Sequence, residues 1–246
     1  MNKDLIRSLI LSDIVYNERK YKTNRIIKNI DFYILCNKWK DKIESNDNLI
    51  SIDDTYITYT LEEGILYISV AGTITNKQLI NYLFGFFEKI DEINEYIRGE
   101  YYFHKIFLSY FRKIKDKFLE IVNNNKHKKL VISGHSVGGS IAILGALLSK
   151  LRNPLVKVDF YSFGSPTGCN EELKLLIINT LDKCENYVCE KDFIPRLTPN
   201  CLFKTPGRII KLKENEDYKD NDKSIYYYHK TKVYYRLIKK LLESNK

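Results

Sequence analysis

The segment that most constrains this chain runs from Leu130 to Leu151. It opens as a short apolar strand, Leu130–Ser133, passes through Gly134-His135-Ser136-Val137-Gly138, and continues to Leu151 as a helix. The pattern G-x-S-x-G alone is modest evidence. Set between a strand and a helix, it reads as a nucleophile elbow. The reason is steric: the serine must sit on a tight, strained turn for its hydroxyl to project above a sheet. Gly134 and Gly138 leave room where side chains would collide. Along the helix, Gly138, Ala142 and Gly145 share one stripe, and small residues there are expected to let the helix lie close to neighbouring strands.

The rest of the chain fits around that unit. Asp4–Val15 is apolar at helical spacing. Thr55–Thr60 and Ile65–Ala71 read as a hairpin joined by Glu62-Glu63-Gly64. Lys77–Ile90 is apolar and aromatic at helical spacing. From His104 onward the expected order is a helix (His104–Val122), the elbow strand and its helix, a strand (Val156–Phe163), a helix (Cys169–Leu181), a strand around Tyr187–Cys189, a further strand at Arg208–Leu212 and a closing helix (Tyr226–Leu242). Such alternation favours an α/β fold with a mostly parallel sheet and helices on both faces. No internal repeat and no linker rich in Gly, Ser or Pro interrupts it, so residues 1–246 are expected to form one domain.

Composition narrows the class. Hydrophobic residues make up 44% and charged residues 29%, a globular balance. The longest apolar stretches, such as Ile141–Leu148, fall short of a membrane span. Arg7 and Asp13 break the first apolar segment, so it does not read as a signal peptide. The net charge of +9 comes with Lys, Asn, Ile and Tyr all abundant, a coding-sequence bias, and the basic residues are scattered among acids. It does not point to a nucleic-acid partner; attraction to an anionic membrane surface is the better fit. Cys36, Cys169, Cys184, Cys189 and Cys201 form no CxxC pair, and no His stands at zinc-ligand spacing. They read as reduced, mostly buried thiols of a cytoplasmic protein, with no metal site.

A serine hydroxyl is a weak nucleophile until a base takes its proton. On an α/β-hydrolase sheet the order along the chain is Ser, acid, His. The four histidines allow elimination: His104 and His127 precede the serine, and His135 is its neighbour in the turn, with its side chain expected to point elsewhere. His229 remains, a surface histidine at a Tyr-rich helix start being the alternative. The acid belongs just past a later strand. Asp192 is the first choice, Glu190 the nearest rival and Asp182 a weaker one, while Asp159 lies inside a strand. An oxyanion needs two preorganised N–H donors. One is Val137, after the serine; the other falls in the strand-ending turn Ser69-Val-Ala-Gly-Thr73, where Gly72 permits the turn and Thr73 donates.

Together these residues resemble the class 3 lipase family, a branch of the α/β-hydrolases similar to fungal triacylglycerol lipases. The resemblance runs from about residue 55 to 240. Ala71-Gly-Thr73 stands where the family usually has Arg-Gly-Ser/Thr, and His104-Lys-Ile-Phe107 resembles its His-x-Gly-Phe helix opening. Gly134–Gly139 matches its elbow, Tyr161-Ser-Phe-Gly-Ser-Pro-Thr-Gly168 its Phe-Gly-x-Pro-x-x-Gly strand end, and Asp192-Phe-Ile-Pro-Arg196 its Asp-x-Val-Pro motif. The resemblance implies Ser136 as nucleophile, Asp192 as acid, His229 as base, and Thr73 with Val137 as oxyanion hole. It implies hydrolysis of lipid esters at a membrane or droplet surface, with no metal or organic cofactor. A phospholipase A1 or acyltransferase with the same triad, and a degenerate lipid-binding module, are the alternatives. Ala71 and Ile106 depart from the family pattern. The family often places a lid between the oxyanion loop and the His104 motif, here within 77–103, where Leu83, Phe84, Gly85, Phe86 and Phe87 make an apolar, bendable stretch. Packing of those aromatics into the core is the competing expectation.

Overall fold

The computed structural model describes residues 3–17, 36, 39, 48–53, 55–71, 86–199, 201–214 and 226–244. Its frame is a seven-stranded sheet whose strands lie side by side in the order β1 (Leu49–Ile52), β2 (Thr55–Glu62), β3 (Ile65–Ala71), β6 (Lys129–His135), β7 (Lys157–Phe163), β8 (Lys183–Cys189) and β9 (Arg208–Leu212). The pairs β1–β2 and β2–β3 are antiparallel, and β3, β6, β7, β8 and β9 run parallel. A separate two-stranded ladder joins β4 (Phe87–Lys89) to β5 (Tyr102–His104).

Around it lie the helices α1 (Lys3–Asn17), α2 (Asp91–Asn94), α3 (Lys105–Asn124), α4 (Val137–Arg152), α5 (Glu171–Thr180) and α6 (Thr231–Ser244), with single 3-10 turns at Ile194–Arg196 and Tyr227–His229. Strand alternation sorts the core into two layers, because successive side chains point to opposite faces. Leu66, Ile68, Val70, Leu130, Ile132, Val158 and Phe160 pack with α3, α4 and α5. Tyr67, Val131, Tyr161, Phe163 and Tyr187 pack with α1 and α6. Strand β6 is buried from Leu130 to His135, as a parallel strand covered on both faces must be.

α1 sits close on the sheet because its inner face carries small polar residues. Ser12 Oγ donates to the Ser8 carbonyl at 2.8 Å and meets Ser69 Oγ at 3.0 Å, and Ser133 Oγ donates to the Ser8 carbonyl at 3.2 Å. At its start, Asp4 accepts from Tyr67 Oη at 2.6 Å and from Lys129 Nζ at 2.8 Å.

Three local expectations change. Phe87–Lys89 forms strand β4 and not the end of a helix, while 77–85 lies outside the described residues. α5 starts at Glu171, because Cys169 is drawn into bridges with Phe103 and Lys204. The Gly145 notch faces a helix and not a strand: a Cβ there would come within 2.7 Å of the Phe118 ring of α3.

Candidate active site

The chemistry-bearing residues meet where β6, β7 and β8 end, at the carboxyl edge of the parallel sheet where open α/β folds bind ligands. Ser136 follows β6 directly, with φ 57° and ψ −139°. A non-glycine residue held there stores about 1–3 kcal/mol of backbone strain. Neighbours enforce it: Ser136 N donates to the Phe163 carbonyl at 2.9 Å, and Gly139 N to the Ser136 carbonyl at 3.0 Å. A Cβ on Gly134 would strike the backbone of Gly138 and Gly139, so the glycine is sterically required.

Asp192 lies three residues past β8 and is buried. Oδ1 accepts from Ile194 N at 3.0 Å. Oδ2 accepts from His229 Nδ1 at 2.7 Å and from Tyr234 Oη at 2.7 Å. Three donors on two oxygens suit an ionised carboxylate, which only accepts. With Nδ1 carrying the proton toward Asp192, the lone pair of His229 falls on Nε2. His229 Nε2 and Ser136 Oγ are both buried, and neither has a hydrogen-bond partner among the described residues. Such orphaned polar atoms are costly in a core and mark a site built for something else to enter.

The rival residues are occupied elsewhere. Asp182 pairs with Lys150 at 2.8 Å and accepts from Val158 N, at the start of β8. Asp159 pairs with Lys129. Glu190 is exposed. His104 stacks on Phe107 with centroids 4.1 Å apart, and His127 lies beside Asn125 near the start of β6. Val137 opens α4, so its N–H belongs to the first turn, whose donors have no partner within the helix. Thr73 and Gly72 lie outside the described residues; the last described residue before them, Ala71, is paired with His135. Of the expected lid aromatics, Phe86 is 78% exposed and Phe87 37%, so neither packs into the core; Leu83, Phe84 and Gly85 lie outside the described residues.

Three site residues escaped the sequence reading. The His135 ring does not point away: it lies 4.4 Å from the His229 ring, and its Nε2 is 2.6 Å from the His229 carbonyl oxygen. Tyr234 reaches Asp192 from α6. Gly164, at φ 62°, forms the floor: a Cβ there would sit 2.7 Å from Tyr234 Oη, 2.8 Å from Asp192 Oδ2 and 3.1 Å from His229 Nδ1. Proximity to Ser136 and His229 in the chain was the only available signal for the first two. No cluster of three or more His, Cys, Asp or Glu is arranged as a metal site among the described residues.

The fold is that of an α/β-hydrolase, a mostly parallel sheet covered by helices, with an elbow serine at its carboxyl edge. The sequence profile of one family, Lipase (class 3), matches residues 67–202, more than half of the chain. The chain belongs to the class 3 lipase family. Solved structures share its architecture. The lipase–propeptide complex of Rhizomucor miehei aligns with a TM-score of 0.66 at 18% identity, covering 88% of this chain and 69% of that one. The lipase of Rhizopus microsporus var. chinensis aligns with a TM-score of 0.63 at 17% identity, covering 88% and 74%. A triacylglycerol lipase whose catalytic centre is described as a serine protease triad aligns with a TM-score of 0.66 at 18% identity, covering 94% and 91%. No curated protein matched the sequence.

Proposed function

We propose that the chain hydrolyses carboxylic esters of lipids with Ser136 as nucleophile, His229 as general base and Asp192 as the carboxylate that orients it. Ser136 Oγ attacks the ester carbonyl carbon while His229 Nε2 takes its proton. The tetrahedral oxyanion is held by the N–H groups of Val137 and Thr73. Collapse breaks the bond to the alcohol, which leaves with the proton from His229. Water then attacks the acyl-enzyme by the same route and releases the acid.

The observation that carries this reading is the buried 2.7 Å contact between His229 Nδ1 and Asp192 Oδ2, beside an elbow serine in a strained turn. Ser136 is fully buried, so this form is closed to a lipid ester. We place the lid within residues 77–103 and take the whole chain as one domain. A lipid surface as the partner is supported by Phe86 and Leu202, 78% and 57% exposed, which flank the 4.5 Å ring contact of Phe87 with Phe203. No helix among the described residues is long and apolar enough to cross a membrane. A cytoplasmic, reducing setting is supported by the free thiols Cys36, Cys169 and Cys189 set in the core.

The test is hydrolysis of nitrophenyl esters of increasing chain length, then of triglyceride and phospholipid dispersions, by wild type, Ser136→Ala and His229→Ala. Ester cleavage by wild type that drops to background in both variants is expected. Lipid binding without cleavage in all three would replace the hydrolase with a binding module.

A further inference from the structure

His229 sits at the end of a single 3-10 turn, Tyr227–His229, followed by Lys230 in extended conformation. The turn is closed by His229 N donating to the Tyr226 carbonyl at 3.1 Å and Lys230 N to the Tyr227 carbonyl at 3.2 Å. The link to Asp192 fixes one ring atom, Nδ1. Two further buried contacts hold the chain at this point, one on the His229 carbonyl and one on the Thr231 side chain. From one side, His135 Nε2 stands 2.6 Å from the His229 carbonyl oxygen, with the two rings 4.4 Å apart. A carbonyl only accepts, so Nε2 of His135 carries a proton and donates it into this bond. From the other side, the Thr231 hydroxyl donates to Asp13 Oδ1 on α1, and Asp13 Oδ2 accepts from the Cys36 thiol at 3.6 Å. His135, Asp13 and Thr231 are each less than a tenth exposed.

We propose that His135 and the Asp13–Thr231 pair are positioning residues that set where the general base stands relative to the nucleophile. His135 is bonded covalently to Ser136, so its side chain ties the backbone of the base directly to the elbow. Asp13 anchors the next turn of that backbone to a helix outside the stretch matched by the family profile, residues 67–202. The pair of ties fixes the loop at residues 229 and 231. Misplacing a reacting group by about 1 Å costs on the order of 100-fold in rate, which is the scale on which such ties matter.

This inference rests on the reading of Ser136 and His229 as nucleophile and base, and the test separates the two. The probe is an alkyl fluorophosphonate, with labelling rate followed by intact mass, alongside kcat and KM on a short soluble nitrophenyl ester and thermal unfolding. His135→Leu is expected to lower the labelling rate and kcat together by about 10- to 100-fold with KM unchanged. His135→Gln, whose amide nitrogen reaches the same carbonyl, is expected to restore most of both. Thr231→Val, close in shape to threonine, is expected to lower both rates, and Thr231→Ser to restore them; this pair decides the matter if His135→Leu does not fold. Wild-type labelling rate and kcat per folded molecule in His135→Leu or Thr231→Val, with only the melting temperature changed, would overturn the inference and leave the hydrolase standing. A wild type that is not labelled on Ser136 would remove the reading beneath it.

Discussion

Tyr234 Oη lies 2.7 Å from Asp192 Oδ2, the carboxylate oxygen that also accepts from His229 Nδ1. The same hydroxyl accepts from Cys189 N at 3.2 Å, so Tyr234 ties the acid to the end of β8. Burial and the adjacent Asp192 charge push its phenol well above the ordinary value, which keeps it a donor.

Replacing Tyr234 by Phe removes one donor from a buried carboxylate and leaves the Cys189 N–H without its acceptor. A charge-assisted hydrogen bond of this kind contributes about 1.5–3 kcal/mol. Tyr234→Phe is expected to lose stability on that scale in a urea melt. Its kcat is expected to fall about tenfold, equivalent to ~1.4 kcal/mol of transition-state stabilisation. Unchanged values of both would mean that Asp192 does not depend on this donor.

Gly164 has no room for a side chain. An alanine Cβ would meet three polar atoms of the site within 3.1 Å, and φ of 62° strains any L residue there. Gly164→Ala is expected to lower kcat on soluble esters by at least about tenfold, since displaced catalytic groups lose rate steeply. Circular dichroism of the folded state is expected to stay as in wild type. A variant with wild-type kcat would show that the site tolerates a shift of Asp192 and His229.

Acid tests the anchoring of α1. Burial alone would raise the Asp4 carboxyl, but hydrogen bonds from Lys129 and Tyr67, with the Lys129 charge, outweigh it and hold the group below its ordinary 3.8. A value lower in the folded than in the unfolded chain adds stability that is fully present above 3.8 and lost as pH falls through the folded value. Urea midpoints measured downward from neutral pH should fall more steeply for wild type than for Asp4→Asn. Parallel slopes would show that Asp4 gains nothing from its partners.

Much of this was legible in the chain because it depends on local pattern. The elbow, the β2–β3 hairpin and the alternation from residue 104 onward follow from side-chain periodicity and from parallel strands buried on both faces. That Asp192 stands just past a strand followed from chain order alone, and the structure brings it to 2.7 Å from His229. What could not be read depends on partners far away in sequence. Phe87–Lys89 is a strand because Tyr102–His104 pairs with it and Arg112 bonds to Glu88 and the Lys89 carbonyl. Gly145 looked like a seat for a strand, and the Phe118 ring of α3 fills it. His135 and Tyr234 join the site only through tertiary contacts: one spans 94 residues to reach His229, the other 42 to reach Asp192. The three-residue turn Tyr227–His229 gave too short a pattern to stand apart from the helix that follows it.

The most direct measurement is intact mass and peptide mapping after incubation with a fluorophosphonate, on wild type and Ser136→Ala side by side. One phosphonyl adduct on the peptide carrying Ser136, absent from Ser136→Ala and greatly slowed in His229→Ala, is the expected result. A folded wild type that stays unlabelled, or an adduct that persists in Ser136→Ala, would contradict the assignment of Ser136 as an activated nucleophile.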